Sequence, residues 1–163
     1  MEELYHMGKT RAIGVSNNEI FHLQEILDLG GLIPAVNQAE FHPYWHEDDL
    51  VAFCKANNIV YNGYSPLGCP DWAPASHNWT HNLLQEPTIL QIAKDHQCTP
   101  AQVVLQWEWQ QGVIVNPRTE KENHMIENLS FFDIKLTDKE IEDITAITPP
   151  KNAKVCSNPN NTK

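Results

Sequence analysis

The sequence predicts an α/β fold organised around a parallel sheet, and two observations carry that reading. Short apolar runs rich in β-branched residues alternate with longer segments whose apolar residues recur at helical spacing. The helix-like segments open on capping residues and stop at glycine or proline. Strand and helix signals that alternate in this way are what consecutive βα units produce, and four such units can be counted along the 163 residues.

Arg11 to Val15 is the first predicted strand. Ser16-Asn17-Asn18-Glu19 then offers a capping residue and an early acid before a helix whose stripe is Ile20, Leu23 and Leu27, ending at Gly30-Gly31. Ile33 to Gln38 is the second strand. The acids Glu47, Asp48 and Asp49 favour the positive end of the next helix, which turns Leu50, Phe53 and Cys54 inward and carries Lys55 near its far end. Ile59 to Tyr64 is the third strand, followed by a long polar loop from Cys69 to Gln85, of a length that is functional or mobile in most compact domains.

Pro87 opens a helix carrying Ile89, Leu90 and Ala93. Thr99-Pro100-Ala101-Gln102 supplies a cap, a first-turn proline and a capping-box glutamine for the next helix, which holds Val103, Val104 and Trp107 and stops at Gly112. Val113 to Val115 is the fourth strand. Thr119 with Glu122 is expected to cap a helix holding Met125, Ile126 and Leu129, and Thr137 with Glu140 another holding Ile141 and Ile144. Residues 1–150 read as one folded region and 151–163 as a polar, flexible tail.

Composition narrows the partners. With 41% hydrophobic residues the chain can bury one substantial core. A formal charge of −10, with no basic run, argues against nucleic acid and against an anionic membrane surface. No apolar run is long enough to span a bilayer and Met1-Glu2-Glu3-Leu4 lacks the features of a signal peptide, so a soluble, cytoplasmic protein is expected. Asn78-Trp79-Thr80, Asn128-Leu129-Ser130 and Asn160-Asn161-Thr162 match the glycosylation pattern but carry no meaning without secretion.

Cys54, Cys69, Cys98 and Cys156 form no CxxC pair, so reduced thiols are expected rather than a zinc site or a disulfide framework. His42 with His46 and His77 with His81 have i, i+4 spacing, but the first pair flanks Pro43 and the second lies in the loop, so no metal site is expected. His42 reads instead as fixing a strand-to-loop turn. No GxGxxG follows a strand, which leaves a Rossmann fold without support.

Four segments stand out in order: Gly8-Lys9-Thr10-Arg11-Ala12-Ile13-Gly14-Val15-Ser16-Asn17, Val36-Asn37-Gln38-Ala39-Glu40-Phe41-His42-Pro43, Tyr64-Ser65-Pro66-Leu67-Gly68, and Val115-Asn116-Pro117-Arg118-Thr119. Together they resemble the aldo-keto reductase family, of the aldose reductase type, and the resemblance spans about residues 1 to 150. It implies a (βα)8 TIM-type barrel. The four βα units, with an additional helix near each end, match the C-terminal half of such a barrel, whose sites lie where strands end and helices begin.

The family reduces aldehydes and ketones to alcohols with NADPH, so the resemblance implies NADPH as cofactor and a small carbonyl compound as substrate. Ser16, Asn17 and Gln38 match the residues that hold the nicotinamide carboxamide. Uncharged amides and hydroxyls suit that ligand because they offer both donors and acceptors. Tyr64 matches the aromatic that stacks on the nicotinamide ring, and Ser65 and Leu67 match contacts to the pyrophosphate and ribose. Cys69 stands where many members have Ser.

Arg118 and Thr119 match the family's Lys-Ser pair on the 2′-phosphate, a cation and a hydroxyl suited to a dianion. His124 replaces the Arg expected over the adenine, which weakens NADPH selectivity and leaves NADH possible. Glu127 and Asn128 match contacts to the adenine edge. The family's acid Tyr and its Asp, Lys and His partners map to no residue here, so no catalytic residue is assigned and the chain is expected to be inactive alone. A half barrel is expected to need a second chain, self-association or a larger assembly to cover its open edges. The alternative is a noncatalytic binding or structural subunit that keeps the fold.

Overall fold

The computed structural model describes residues 1–69, 82–151 and 153–156. The chain is α/β, with four strands in a parallel sheet of order β1-β2-β3-β4: β1 Val15–Ser16, β2 Val36–Glu40, β3 Val60–Tyr64 and β4 Ile114–Asn116. The helices are α1 Glu2–His6, α2 Ile20–Asp28, α3 Asp48–Ala56, α4 Pro87–Asp95, α5 Pro100–Gln110, α6 Glu122–Leu129 and α7 Asp138–Thr145. Among the described residues no helix is long and apolar enough to cross a membrane. The backbone divides into two compact units, 1–39 with 47–62 and 40–46 with 63–163.

In the first unit β1 and β2 run parallel with Val15 opposite Asn37 and Ser16 opposite Gln38. The predicted strand from Arg11 is shorter than expected. Ile13 O still accepts from Ala35 N at 2.8 Å, and at Gly14 an added Cβ would come within 2.9 Å of Val36 O, so the backbones approach there before the ladder begins. Glycine permits that approach. α2 is capped by Glu19 itself, reciprocally with His22, rather than by Ser16 or Asn17, which leaves those two side chains for other contacts. Leu23, Ala39, Leu50, Cys54, Ile59 and Tyr61 form the core, while Phe53 is only half-buried.

In the second unit α5 is the central helix, packed by α4, and α7 packs on α4. Thr99 and Gln102 form the expected capping box, and Gly112 at φ 83 takes the left-handed conformation that ends the helix. Trp107 is fully buried and stacks on Phe41 with ring centroids 5.4 Å apart. α4 turns Ile89, Ile92 and Ala93 inward, so Ile92 takes the place expected of Leu90, which is exposed. The expected Thr119–Glu122 cap does not form: Lys121 holds the N-cap position of α6, and Thr119 Oγ1 accepts from Lys121 N at 3.2 Å. Met125, Ile126 and Leu129 on α6 are exposed.

Candidate functional site

At the C-terminal ends of β1 and β2 the first unit gathers three of the residues singled out in the sequence. Ser16 Oγ donates to Gln38 O at 2.9 Å, Asn17 N donates to the same carbonyl at 2.8 Å, and Asn17 Nδ2 donates to Ser16 Oγ at 3.0 Å. Asn17 lies at φ 56, a conformation asparagine tolerates better than most residues. Gln38 Nε2 donates to Asn62 Oδ1 at 2.8 Å. The result is a contiguous, uncharged set of amides and a hydroxyl.

Two supporting residues escaped sequence reasoning. Asn37 is fully buried; its Oδ1 accepts from Asn18 N at 3.3 Å and its Nδ2 donates to Asn18 O at 2.9 Å, which pins the loop that carries Asn17. Asn62 on β3 orients the Gln38 amide. The available signal was an amide in the middle of each apolar strand, since a buried amide is retained only where its hydrogen bonds are met.

Tyr64, Ser65 and Leu67 share the end of β3 in the second unit. The turn after Tyr64 is closed by Gly68 N donating to Ser65 O at 2.9 Å, with Ser65 at φ 54 and Cys69 at φ 49. Two non-glycine residues in the left-handed region mean that the surroundings impose this geometry. Burial, then the charges of Cys156 and Glu40, push the Tyr64 phenol above its ordinary value, and the hydroxyl hydrogen-bonds Cys156. The ring is therefore a neutral, half-buried surface.

Glu40 is the residue that organises this corner. Its buried carboxylate accepts from Val155 N at 2.5 Å and from Cys156 N at 2.9 Å, and lies 3.0 Å from His42 Nε2. Of the residues placed by sequence in a flexible tail, 151–163, Ala153 and Val155 are buried and Lys154 Nζ is 4.7 Å from the Trp45 ring centroid, while 152 and 157–163 lie outside the described residues. Ser65 Oγ and Cys156 Sγ lie 3.9 Å apart. His42 also closes the turn after β2 through reciprocal backbone hydrogen bonds with Trp45.

The residues matched to the adenine end are less gathered. Arg118 Nη2 pairs with Glu120 Oε1 at 2.7 Å, both side chains exposed, and His124 is exposed. Glu127 contributes its backbone carbonyl to Gln102 Nε2 at 3.1 Å. Thr119 and Asn128 come together on an open, largely apolar groove of about 480 Å³ lined also by Trp109, Met125, Leu129 and Phe132. Of the histidine pairs, His46 packs edge-on against Trp107 with centroids 5.6 Å apart; His77 and His81 lie outside the described residues.

Comparison with known proteins identifies the family. The sequence model of the Aldo/keto reductase family matches residues 1–149. Glyoxal reductase of Bacillus subtilis is 38% identical over 159 residues, covering 98% of this chain and 53% of that protein. Glycerol 2-dehydrogenase (NADP(+)) of Saccharomyces cerevisiae is 40% identical over 162 residues, covering 98% and 48%. The crystal structure of an aldo-keto reductase of the silkworm, Bombyx mori, superposes with a TM-score of 0.82 at 34% identity, covering 91% of this chain and 45% of that one. The chain spans about half the length of the relatives it matches.

Proposed function

Because this chain belongs to the aldo/keto reductase family, we propose that it is the cofactor-holding half of an NADPH-dependent reductase of aldehydes and ketones, inactive until a complementary half completes it. The observation that supports this most strongly is the Ser16, Asn17 and Gln38 cluster. A carboxamide presents one acceptor and one amino donor, and this cluster offers amide donors and side-chain oxygens without placing a charge beside a ring whose own charge changes in the reaction. The residues present fit the cofactor.

Asn17 and Gln38 would hold the carboxamide, and Tyr64 would support one face of the ring. Ser65 and Leu67 would meet the pyrophosphate and ribose, and Arg118 and Thr119 the 2′-phosphate. Glu127 and Asn128 would meet the adenine edge. Arg118 exchanges Glu120 for a phosphate at small cost, because an exposed ion pair contributes little. His124 adds no fixed cation, so NADH is accepted with reduced discrimination. Bound there, the reduced cofactor would supply a hydride to a carbonyl carbon.

The developing alkoxide also requires a proton donor and an electrophilic environment. Tyr64 is a poor donor, since its surroundings hold the phenol protonated above its usual range. The proton is therefore assigned to the completing half, which has to bring residues that this sequence does not contain. The compartment that fits free thiols and an acidic surface is the cytoplasm.

A noncatalytic subunit that keeps the fold is the second reading, favoured by the Arg118–Glu120 pair and by His124 in place of a cation. Fluorescence titration of the purified chain with NADPH, followed by an aldehyde turnover assay, separates them. Saturable binding without turnover is expected; no binding at millimolar cofactor would overturn the cofactor-holding reading in favour of the scaffold.

A further inference from the structure

We propose, resting on the cofactor-holding reading above, that Glu40 is a positioning residue for the cofactor: its carboxylate clamps the backbone at Val155 and Cys156, and the clamped segment holds Ser65 in the conformation that meets the pyrophosphate end. Two backbone N–H groups and one imidazole nitrogen converge on this buried side chain. Val155 N donates to Oε1 at 2.5 Å and Cys156 N to Oε2 at 2.9 Å, while His42 Nε2 lies 3.0 Å from Oε1. A carboxylate accepts at both oxygens, whereas a glutamine in the same place would turn an amino group towards a donor.

Hydrogen bonds to a charged acceptor are shorter and stronger than neutral ones, so two of them on successive residues fix the course of the backbone there. Ala153 and Val155 are buried, which seats the segment further. The direction of the Cys156 side chain is thereby set, and its Sγ lies 3.9 Å from Ser65 Oγ, within reach of a hydrogen bond to sulfur. Ser65 is at φ 54, a conformation that a residue with a side chain keeps only where its surroundings impose it. Gly68 N closes the turn on Ser65 O at 2.9 Å, and Cys156 meets the same residue at its hydroxyl. Glu40 at the end of β2 thus reaches Ser65 at the end of β3 through residues 115 and 116 positions further along the chain.

The consequence for binding is local. Ser65 is placed at the pyrophosphate, whereas Arg118 and Thr119 are placed at the 2′-phosphate; Arg118 pairs with Glu120 and Thr119 accepts from Lys121 N. Loosening the clamp should therefore weaken the whole cofactor while leaving its adenosine end bound as before.

The test is Glu40→Gln in the full chain, with Val155→Pro as a second variant that removes one N–H donor and leaves the carboxylate in place. Each is titrated by calorimetry with NADPH and with adenosine 2′,5′-bisphosphate, and exchange of the Gly68 amide is followed by NMR without ligand. The expected result in both variants is NADPH bound about tenfold more weakly, adenosine 2′,5′-bisphosphate bound as by the unmodified chain, and faster exchange at Gly68. Unchanged NADPH affinity, equal weakening of both ligands, or unchanged exchange at Gly68 in a folded variant would each overturn the positioning role and leave the cofactor-holding reading standing. Loss of the fold in both variants would reduce Glu40 to a structural clamp and overturn it as well. An unmodified chain that binds no NADPH would instead overturn the cofactor-holding reading, and the positioning role with it.

Discussion

Glu108 shows how a single residue can set the pH response. It is fully buried on α5, neither carboxylate oxygen has a hydrogen-bond partner among the described residues, and Oε2 lies 3.0 Å from where a Cβ on Gly63 would sit. Burial raises its pKa well above the ordinary 4.5. The unfolded chain therefore releases this proton at lower pH than the folded chain, and stability falls as pH rises above about 4.5 towards the folded value. Replacing Glu108 with Met should raise stability at neutral pH by about 1–3 kcal/mol and flatten that decline, measured by urea denaturation at acid and neutral pH. An unchanged slope would show that the carboxyl has a partner. Gln38 makes the complementary case for binding: Gln38→Ala removes the amide oriented by Asn62 and should weaken NADPH binding about 5- to 30-fold by fluorescence titration, with a loss of about 1–2 kcal/mol. Ser16, Asn17 and Gln38 were singled out because their motifs are local and ordered, and hydrogen bonds bring them together at the strand ends. Glu40 was not, since its partners Val155 and Cys156 lie 115 and 116 residues away and no local pattern announces them.

Elements were legible in proportion to how local their determinants are. The capping boxes at Thr99–Gln102 and Thr137–Glu140 depend on side chains three residues apart and formed as read. The box expected at Thr119 did not, because the chain stays extended through Lys121, at φ −96 and ψ 122, and Thr119 instead accepts from Lys121 N. Strand limits shifted because β pairing is decided by the neighbouring strand rather than by propensity, as β1 shows by pairing only at Val15 and Ser16. The most consequential cap is at α5, the helix that carries Trp107 and Glu108. Gln102 donates there to Glu127 O as well as closing the box on Thr99 N, and so links α5 to α6. Thr99→Ala should cost about 0.5–2 kcal/mol in chemical denaturation. Gln102→Ala should cost at least as much and also increase amide exchange at the end of α6; equal exchange in both variants would contradict the link.

At the scale of the whole molecule the sequence announced an α/β chain of half-barrel extent, and its surface explains why a complement is proposed. Trp109, Ile114, Met125, Leu129 and Phe132 are each between 42% and 71% exposed, and they line one groove beside β4 and α6. An apolar patch of this kind marks either an interaction surface or a ligand-binding groove, and Thr119 and Asn128 line the same groove. If a second copy covers this groove, Trp109→Lys combined with Phe132→Lys is expected to reduce self-association in light scattering without loss of helical circular dichroism; association unchanged by the two substitutions would show that the groove is not the contact. Of the loop expected from Cys69 to Gln85, functional or mobile, residues 70–81 lie outside the described residues, and Leu83–Gln85 form a short 3-10 helix. The proposed function rests on the amide cluster at the ends of β1 and β2 holding a nicotinamide carboxamide. Its most direct test is the side-chain amide NMR spectrum of Asn17, Gln38 and Asn62 during titration with NADP(H). These three signals are expected to shift together and saturably; signals that stay fixed while the cofactor binds would contradict a carboxamide contact there.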